Sequence, residues 1–266
     1  MKILLSPAKK MNVDTEALEA AGLPVFLKQT KEILKWLKSK PYETLKELWK
    51  CNDKIAEQNF HRLQCMDLYR NLTPAILSYE GIAYQYMAPS VFEDVHLSYI
   101  EEHLRILSAF YGVLKPMDGV TPYRLEMQAK AGILGCKDLY DFWGDRLYRE
   151  VRDESGVIIN LASKEYAKCI EKYLSPGDTY LTCVFGEMAE GKFVTKGTCA
   201  KMARGEMVRF MAENQIENPE DLKSFDRLNY QYREELSGEN RYVFERIVRK
   251  SCKCSASVAV QSLLTV

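Results

Sequence analysis

Residues 156–163 read GVIINLAS, a near-continuous apolar run of strand length with no polar alternation. Such a run fits a strand covered on both faces, as inside a parallel sheet. The start of the chain repeats the device: Ile3, Leu4 and Leu5 run into Ser6-Pro7, with Lys9 and Lys10 just beyond. Each run ends in a serine that can cap the next segment of chain. In α/β folds, ligands bind at the carboxyl ends of strands, and the free N–H groups of a following helix attract anions. Lys9, Lys10 and Lys164 are therefore candidates to meet at one anion site, with Ser163 capping the helix that carries Lys164. The alternative is that Ser-Pro only ends a strand and the lysines are solvated.

Helical periodicity surrounds these strands. KEILKWLKSK (31–40) and ETLKELWK (43–50) are separated by Pro41. TPAILSYEGIAYQY is expected to be a helix with Thr73 as N-cap and Pro74 in its first turn. From Asp94, the set Leu97, Ile100, Leu104, Leu107 and Tyr111 advances by three or four residues, which predicts a helix lasting to about Gly112. TYLTCVFGEMAEGKFVT (179–195) reads as a hairpin turning at Glu190-Gly191. TCAKMARGEMVRFMAEN (198–214) reads as a helix capped by Thr198. Gly205 inside it costs about 1 kcal/mol relative to alanine, to be offset by close packing or by room for a ligand. RYVFERIV (241–248) is the expected last strand. Strands at both ends with helices between them imply a mixed α/β fold in one domain.

The 266 residues are ample for a real core, and no run approaches the ~18–20 apolar residues that span a bilayer. No secretory apolar region follows Lys2, so the expected compartment is the cytoplasm, with no membrane partner. The eight cysteines are scattered without a C-x-x-C, and read as free thiols. Cys252-Lys253-Cys254 has no histidine nearby. His96 and His103 are about 10 Å apart on a helix, too far for one metal ion, so neither a metal nor a cofactor is expected. No G-x-G occurs, which excludes a dinucleotide fingerprint or a P-loop. Basic and acidic residues balance at 37 each, so no global field draws in a polyanion. Charge is nevertheless segregated: Lys196, Lys201, Arg204 and Arg209 face only Glu206 in their stretch.

The densest chemistry lies in HLRILSAFYGVLKPMDGVTPYRLEM (103–127). Its glycines and prolines fix an irregular segment carrying Lys115, Tyr123, Arg124 and Glu126, with Arg105 just before it. Irregular backbone beside aromatic and cationic side chains builds recognition surfaces, and arginine's planar fork suits phosphate or carboxylate. The alternative is a structural loop with Arg124 and Glu126 paired elsewhere. KDLYDFWGDRL (137–147) adds Asp138 and Trp143, the latter a stacking wall or a core residue.

SPAK (6–9), HLRILSAFYGVLKP (103–116), PYRLEM (122–127), DLYDFWGD (138–145), VIINLASKEY (157–166) and KMARGEMVRF (201–210) stand in family order, and the chain resembles the YaaA family of bacterial peroxide-stress proteins. The resemblance implies a single compact α/β domain over residues 1–250 with a mixed sheet and a basic cleft, helix-rich in its N-terminal half and strand-rich in its C-terminal half. Residues 251–266 resemble nothing in the family. Members are linked to surviving hydrogen peroxide by limiting free intracellular iron, which otherwise generates hydroxyl radicals that damage DNA. The resemblance also implies binding of duplex or branched DNA through a helix-hairpin-helix-like element, here across Glu101 to Met127 with Gly112 and Gly119 at the turn.

Two functions from different classes remain open. As a DNA-binding factor, Lys9, Lys10, Arg105, Lys115 and Arg124 would neutralise phosphates, joined by Lys164, Lys201 and Arg204. Tyr123 or Trp143 would stack on unpaired bases. As an enzyme on a small anionic or nucleobase-containing substrate, Lys9 and Arg124 would hold the anion. Glu126 or Asp138 would then act as acid or base, and Asn160 and Ser163 would orient the substrate. DNA binding by a monomer is the leading expectation and the enzyme its alternative. A closed pouch would favour the enzyme, an open groove as wide as a duplex the DNA.

Overall fold

The apolar runs become the middle of a sheet. The computed structural model describes residues 1–14 and 18–247, and the expected tail at 251–266, with Cys252 and Cys254, lies outside the described residues. The main sheet consists of β1 (Lys2–Leu5), β2 (Leu104–Ser108), β3 (Gly112–Leu114), β4 (Val157–Asn160), β5 (Thr179–Ala189), β6 (Lys192–Val194), β7 (Tyr230–Tyr232) and β8 (Arg241–Arg246). Their spatial order is β7-β8-β5-β4-β1-β2-β3, with β6 paired to β5. The five strands from β8 to β2 run parallel, and β7, β3 and β6 add antiparallel pairings. Ile3 stands level with Leu104 on one side and Ile159 on the other. Ile3, Leu4 and Leu5 are buried because layers of chain cover both faces of the sheet.

Around the sheet lie α1 (Leu27–Lys38), α2 (Tyr42–Trp49), α3 (Asp53–Gln64), α4 (Ile82–Met87), α5 (Asp94–His103), α6 (Leu139–Trp143), α7 (Arg146–Val151), α8 (Lys164–Glu171) and α9 (Gly197–Glu213). The chain is one compact α/β domain sharing a continuous apolar core. Among the described residues, no helix is long and apolar enough to cross a membrane. The hairpin turns where expected, with Glu190 and Gly191 both at positive φ, the backbone that a two-residue turn between twisted strands requires.

Three local expectations are corrected. The helix from Asp94 stops at His103, and Leu104–Ser108 is a strand with every residue buried. This strand, LRILS, is buried on both faces, and Leu104 and Leu107 also satisfy a three-four spacing, which masks the change of period. The same strand removes the helix-hairpin-helix-like element: the turn near Gly112 joins β2 to β3 as an antiparallel pair. Gly112 has φ +80°, and a Cβ there would stand 2.8 Å from Phe26 and 2.9 Å from Trp143. Thr73 and Pro74 form a short bridge to Gly119 and Val120 instead of starting a long helix. The helical pattern is then split by a two-residue strand, Tyr79–Glu80, which pairs with Lys10 and Met11.

Two caps also differ. Thr198 lies inside α9, whose N-cap is Lys196. Ser163 is the N-cap residue of α8, yet its side chain makes no capping bond. Its hydroxyl lies 3.2 Å from that of Ser6 instead. Gly205 is explained by close packing: a Cβ would sit 1.8 Å from the carbonyl oxygen of Ala83, so α9 touches the start of α4 backbone to backbone.

Candidate functional site: a cationic pocket at the strand ends

β1 and β4 are parallel neighbours, so their carboxyl ends emerge side by side. Above them opens a pocket of about 490 Å³, within the ~300–1,000 Å³ typical of small-molecule sites. Its base is formed by Leu5, Ser6 and Leu161 where the two strands end. Residues 80–84 form one wall, residues 123–126 another, and Lys201 and Arg204 of α9 close a third. Gly81 is needed where the first wall meets the segment after β1, since a Cβ would stand 2.9 Å from that of Ala8.

The solvent-facing side carries paired charges. Lys10 Nζ meets Glu80 Oε1 at 2.6 Å, and Lys9 Nζ meets Glu126 Oε1 at 2.8 Å. Arg124 lies 4.0 Å from the same Glu126 oxygen and donates to the Trp49 carbonyl at 3.4 Å. Arg124 Nε is closed off from solvent without an acceptor.

Arg204 differs from these. Among the described residues, no side-chain hydrogen bond or ion pair engages it, and its Nε is buried without an acceptor. Burial pulls its pKa below the ordinary guanidinium value, yet arginine remains a cation at any physiological pH. The neighbouring Cys183 supplies no counter-charge, because burial pushes its thiol up to about 12. A half-buried cation whose Nε is shut off from water and has no acceptor is under-solvated, a cost that an arriving anion offsets.

Three tyrosines complete the lining. Tyr84 donates to the Ser6 carbonyl at 3.1 Å. The Tyr123 hydroxyl lies 2.9 Å from that of Tyr79 and 2.7 Å from that of Ser108. The Tyr166 hydroxyl makes no hydrogen bond among the described residues, and burial raises its pKa far above the ordinary phenol value, so it keeps its proton. Together, Arg204 and Tyr166 offer a fixed positive charge and a spare O–H to a ligand acceptor.

The structure thus brings Lys9, Lys10, Tyr123, Arg124 and Glu126 to one pocket, with Ser163, Lys201 and Arg204. It places other expected residues elsewhere. Lys164 and Asp138 border an adjacent hollow, and Asp138 also caps α6 through the N–H of Asp141 at 2.9 Å. Arg105 and Lys115 border a third hollow with Glu101, Asp118 and Glu150. Arg105 donates there to the carbonyls of Glu101 and Leu104. Asn160 is buried, accepting from the Ala162 N–H and donating to Thr182. Trp143 is 0% exposed and donates to the Ala109 carbonyl at 3.0 Å, so it is a core residue and not a stacking wall. The Tyr123 ring stacks on Phe110 inside the core, which likewise corrects its expected role against unpaired bases.

Sequence reasoning missed Glu80, Tyr84 and Tyr166 as pocket residues. The signal for the first two was Gly81 in the middle of an apparent helix, a mark of a bend or a close approach. Tyr166 was legible only as one more aromatic on a helix. Among the described residues, no group of three or more histidine, cysteine, aspartate or glutamate side chains could hold a metal ion.

Comparison with known proteins places this architecture. The model of the family described as Peroxide stress protein YaaA matches residues 1–236. A UPF0246 protein of Agathobacter rectalis is 69% identical over 246 residues, covering 92% of this chain and 99% of the relative. A UPF0246 protein of Lachnoclostridium phytofermentans is 57% identical, covering 92% of this chain and 96% of its own. A third, from Pediococcus pentosaceus, is 54% identical, with 92% and 97% covered.

Proposed function

This chain belongs to the peroxide stress protein YaaA family, and from that membership we propose that it serves peroxide defence by binding a small ligand in the pocket at the strand ends. The ligand carries an anionic group, set against Arg204, and an apolar or planar body, set on the Leu5, Ile82 and Leu161 side chains. The single observation that carries this reading is the Arg204 side chain, half-buried at the pocket wall with its Nε closed off from solvent and no hydrogen-bond or ion-pair partner among the described residues. Of the expected acid–base residues, Glu126 alone lines this pocket, beside Glu80 and Glu165, so it is the expected residue that keeps a role in proton transfer on the ligand. An influence on free iron belongs to the same proposal as an indirect consequence of ligand binding.

A DNA-binding role draws on fewer of its expected residues. Trp143 and the Tyr123 ring belong to the core, and Arg105 and Lys115 share a hollow with three carboxylates. Lys9 and Lys10 are each committed to a carboxylate. Titration with adenosine 5′-monophosphate as an anionic planar probe, and with duplex DNA, separates the two. The pocket reading expects the nucleotide to raise the Tm of the native chain but not of Arg204→Gln. DNA affinity falling several log units per log unit of salt, with no nucleotide effect, would overturn it.

A further inference from the structure

Next to the pocket lies a second hollow of about 570 Å³. Glu165 lines both. Ser163 faces the first and Lys164 the second, so the opening turn of α8 is the partition between them.

The second hollow is strongly cationic. Lys130, Lys137, Lys164 and Lys168 border it, and among the described residues none of the four has an ion-pair partner. Two carboxylates stand against them, and each is already engaged by backbone. Asp138 accepts from the Asp141 N–H at 2.9 Å, and Glu165 Oε1 accepts from the Gln128 N–H at 3.1 Å. The Tyr140 hydroxyl donates to the Glu165 carbonyl at 2.9 Å, which fixes the partition from the far side. With four lysines against two carboxylates the depression keeps a net positive charge, which a multiply charged anion would offset.

We propose that the lysine hollow continues the pocket, and that the ligand carries a chain of linked phosphates whose outer members reach past α8 to Lys130, Lys164 and Lys168. This rests on the pocket reading above and deepens it, because the class of ligand becomes a nucleoside polyphosphate or a free polyphosphate. Arg204 meets the inner anionic group, and the lysines meet the outer ones. The four lysines are exposed, so their substitution leaves the core untouched.

Calorimetric titration of the full chain in EDTA, with adenosine 5′-monophosphate, ATP and tripolyphosphate, tests it. The expected result is ATP binding at least about tenfold more tightly than the monophosphate, as two added charge contacts provide. In Lys130→Gln/Lys164→Gln/Lys168→Gln that advantage disappears while monophosphate binding is unchanged. Tripolyphosphate as tight as ATP identifies a free phosphate chain as the ligand, and much weaker binding identifies a nucleotide. ATP no tighter than the monophosphate, with monophosphate binding still lost in Arg204→Gln, overturns the extension and leaves the pocket standing. Binding of none of the three overturns both.

Discussion

The backbone N–H of Ser163 donates to Ser6 Oγ at 2.8 Å, across 157 residues of sequence. That bond stitches the loop after β1 to the start of α8, and so holds two pocket walls together. Ser6→Ala leaves the N–H without its acceptor in a half-buried place, at about 1–2 kcal/mol. Ser163→Ala keeps the N–H and loses only the 3.2 Å hydroxyl contact, so it costs less. Urea unfolding of the two variants checks the order, and equal costs would remove the assigned role of the bond.

Arg204→Met is expected to stabilise the ligand-free protein by about 1 kcal/mol, because it removes a half-buried charge that no described residue neutralises. The same variant should lose the thermal shift given by the nucleotide probe. Differential scanning fluorimetry with and without the probe reads both effects. A destabilised Arg204→Met protein would point to a structural partner for the guanidinium.

At Gly205 the contact with Ala83 leaves no space for a methyl group. Gly205→Ala gains about 1 kcal/mol of helix propensity, yet it must push α9 off α4. The expected net loss is about 3 kcal/mol or more, seen as a lower urea midpoint. Because α4 and α9 each supply a pocket wall, probe binding should weaken along with stability.

Asp118 makes the fold sensitive to pH. Burial raises its pKa to about 6, against the Lys115 N–H bond that favours the charged form. The folded state therefore holds its proton more tightly than the unfolded chain. Stability falls as pH rises from about 4 to about 6 and levels off above. Asp118→Asn can still accept the Lys115 N–H, seen at 2.8 Å, so above pH 7 it should be more stable than the native protein by about 1–2 kcal/mol. That gain should vanish near pH 4. A gain independent of pH would assign the effect to something other than this carboxyl.

The sequence exposed what depends on short-range pattern. Apolar runs too regular to alternate marked β1 and β4, and Glu190-Gly191 marked its hairpin. The serines and lysines after β1 and β4 marked the strand ends where the pocket opens. What stayed hidden depends on partners far along the chain. β2 looked helical because its packing on both faces erased the period of two, and nothing local distinguishes Leu104 in a strand from Leu104 on a helix. The separation of Lys164 from Lys9 by one helical turn was equally invisible, since it depends on how α8 leaves the sheet. Trp143 stayed open between a stacking wall and the core, and Tyr123 was expected to meet bases, for want of knowing that Ala109 and Ser108 would meet their polar atoms.

The position of β1 between β2 and β4 sets an order of events during synthesis. β1 precedes both of its neighbours on the ribosome, which are made about a hundred and more than a hundred and fifty residues later. At ~5–20 residues per second, Ile3, Leu4 and Leu5 wait several seconds or more for their neighbours. β2 can pair with β1 once residue 108 has emerged, but the other edge of β1 stays open until residue 160 follows, and this interval is when a chaperone has most to offer.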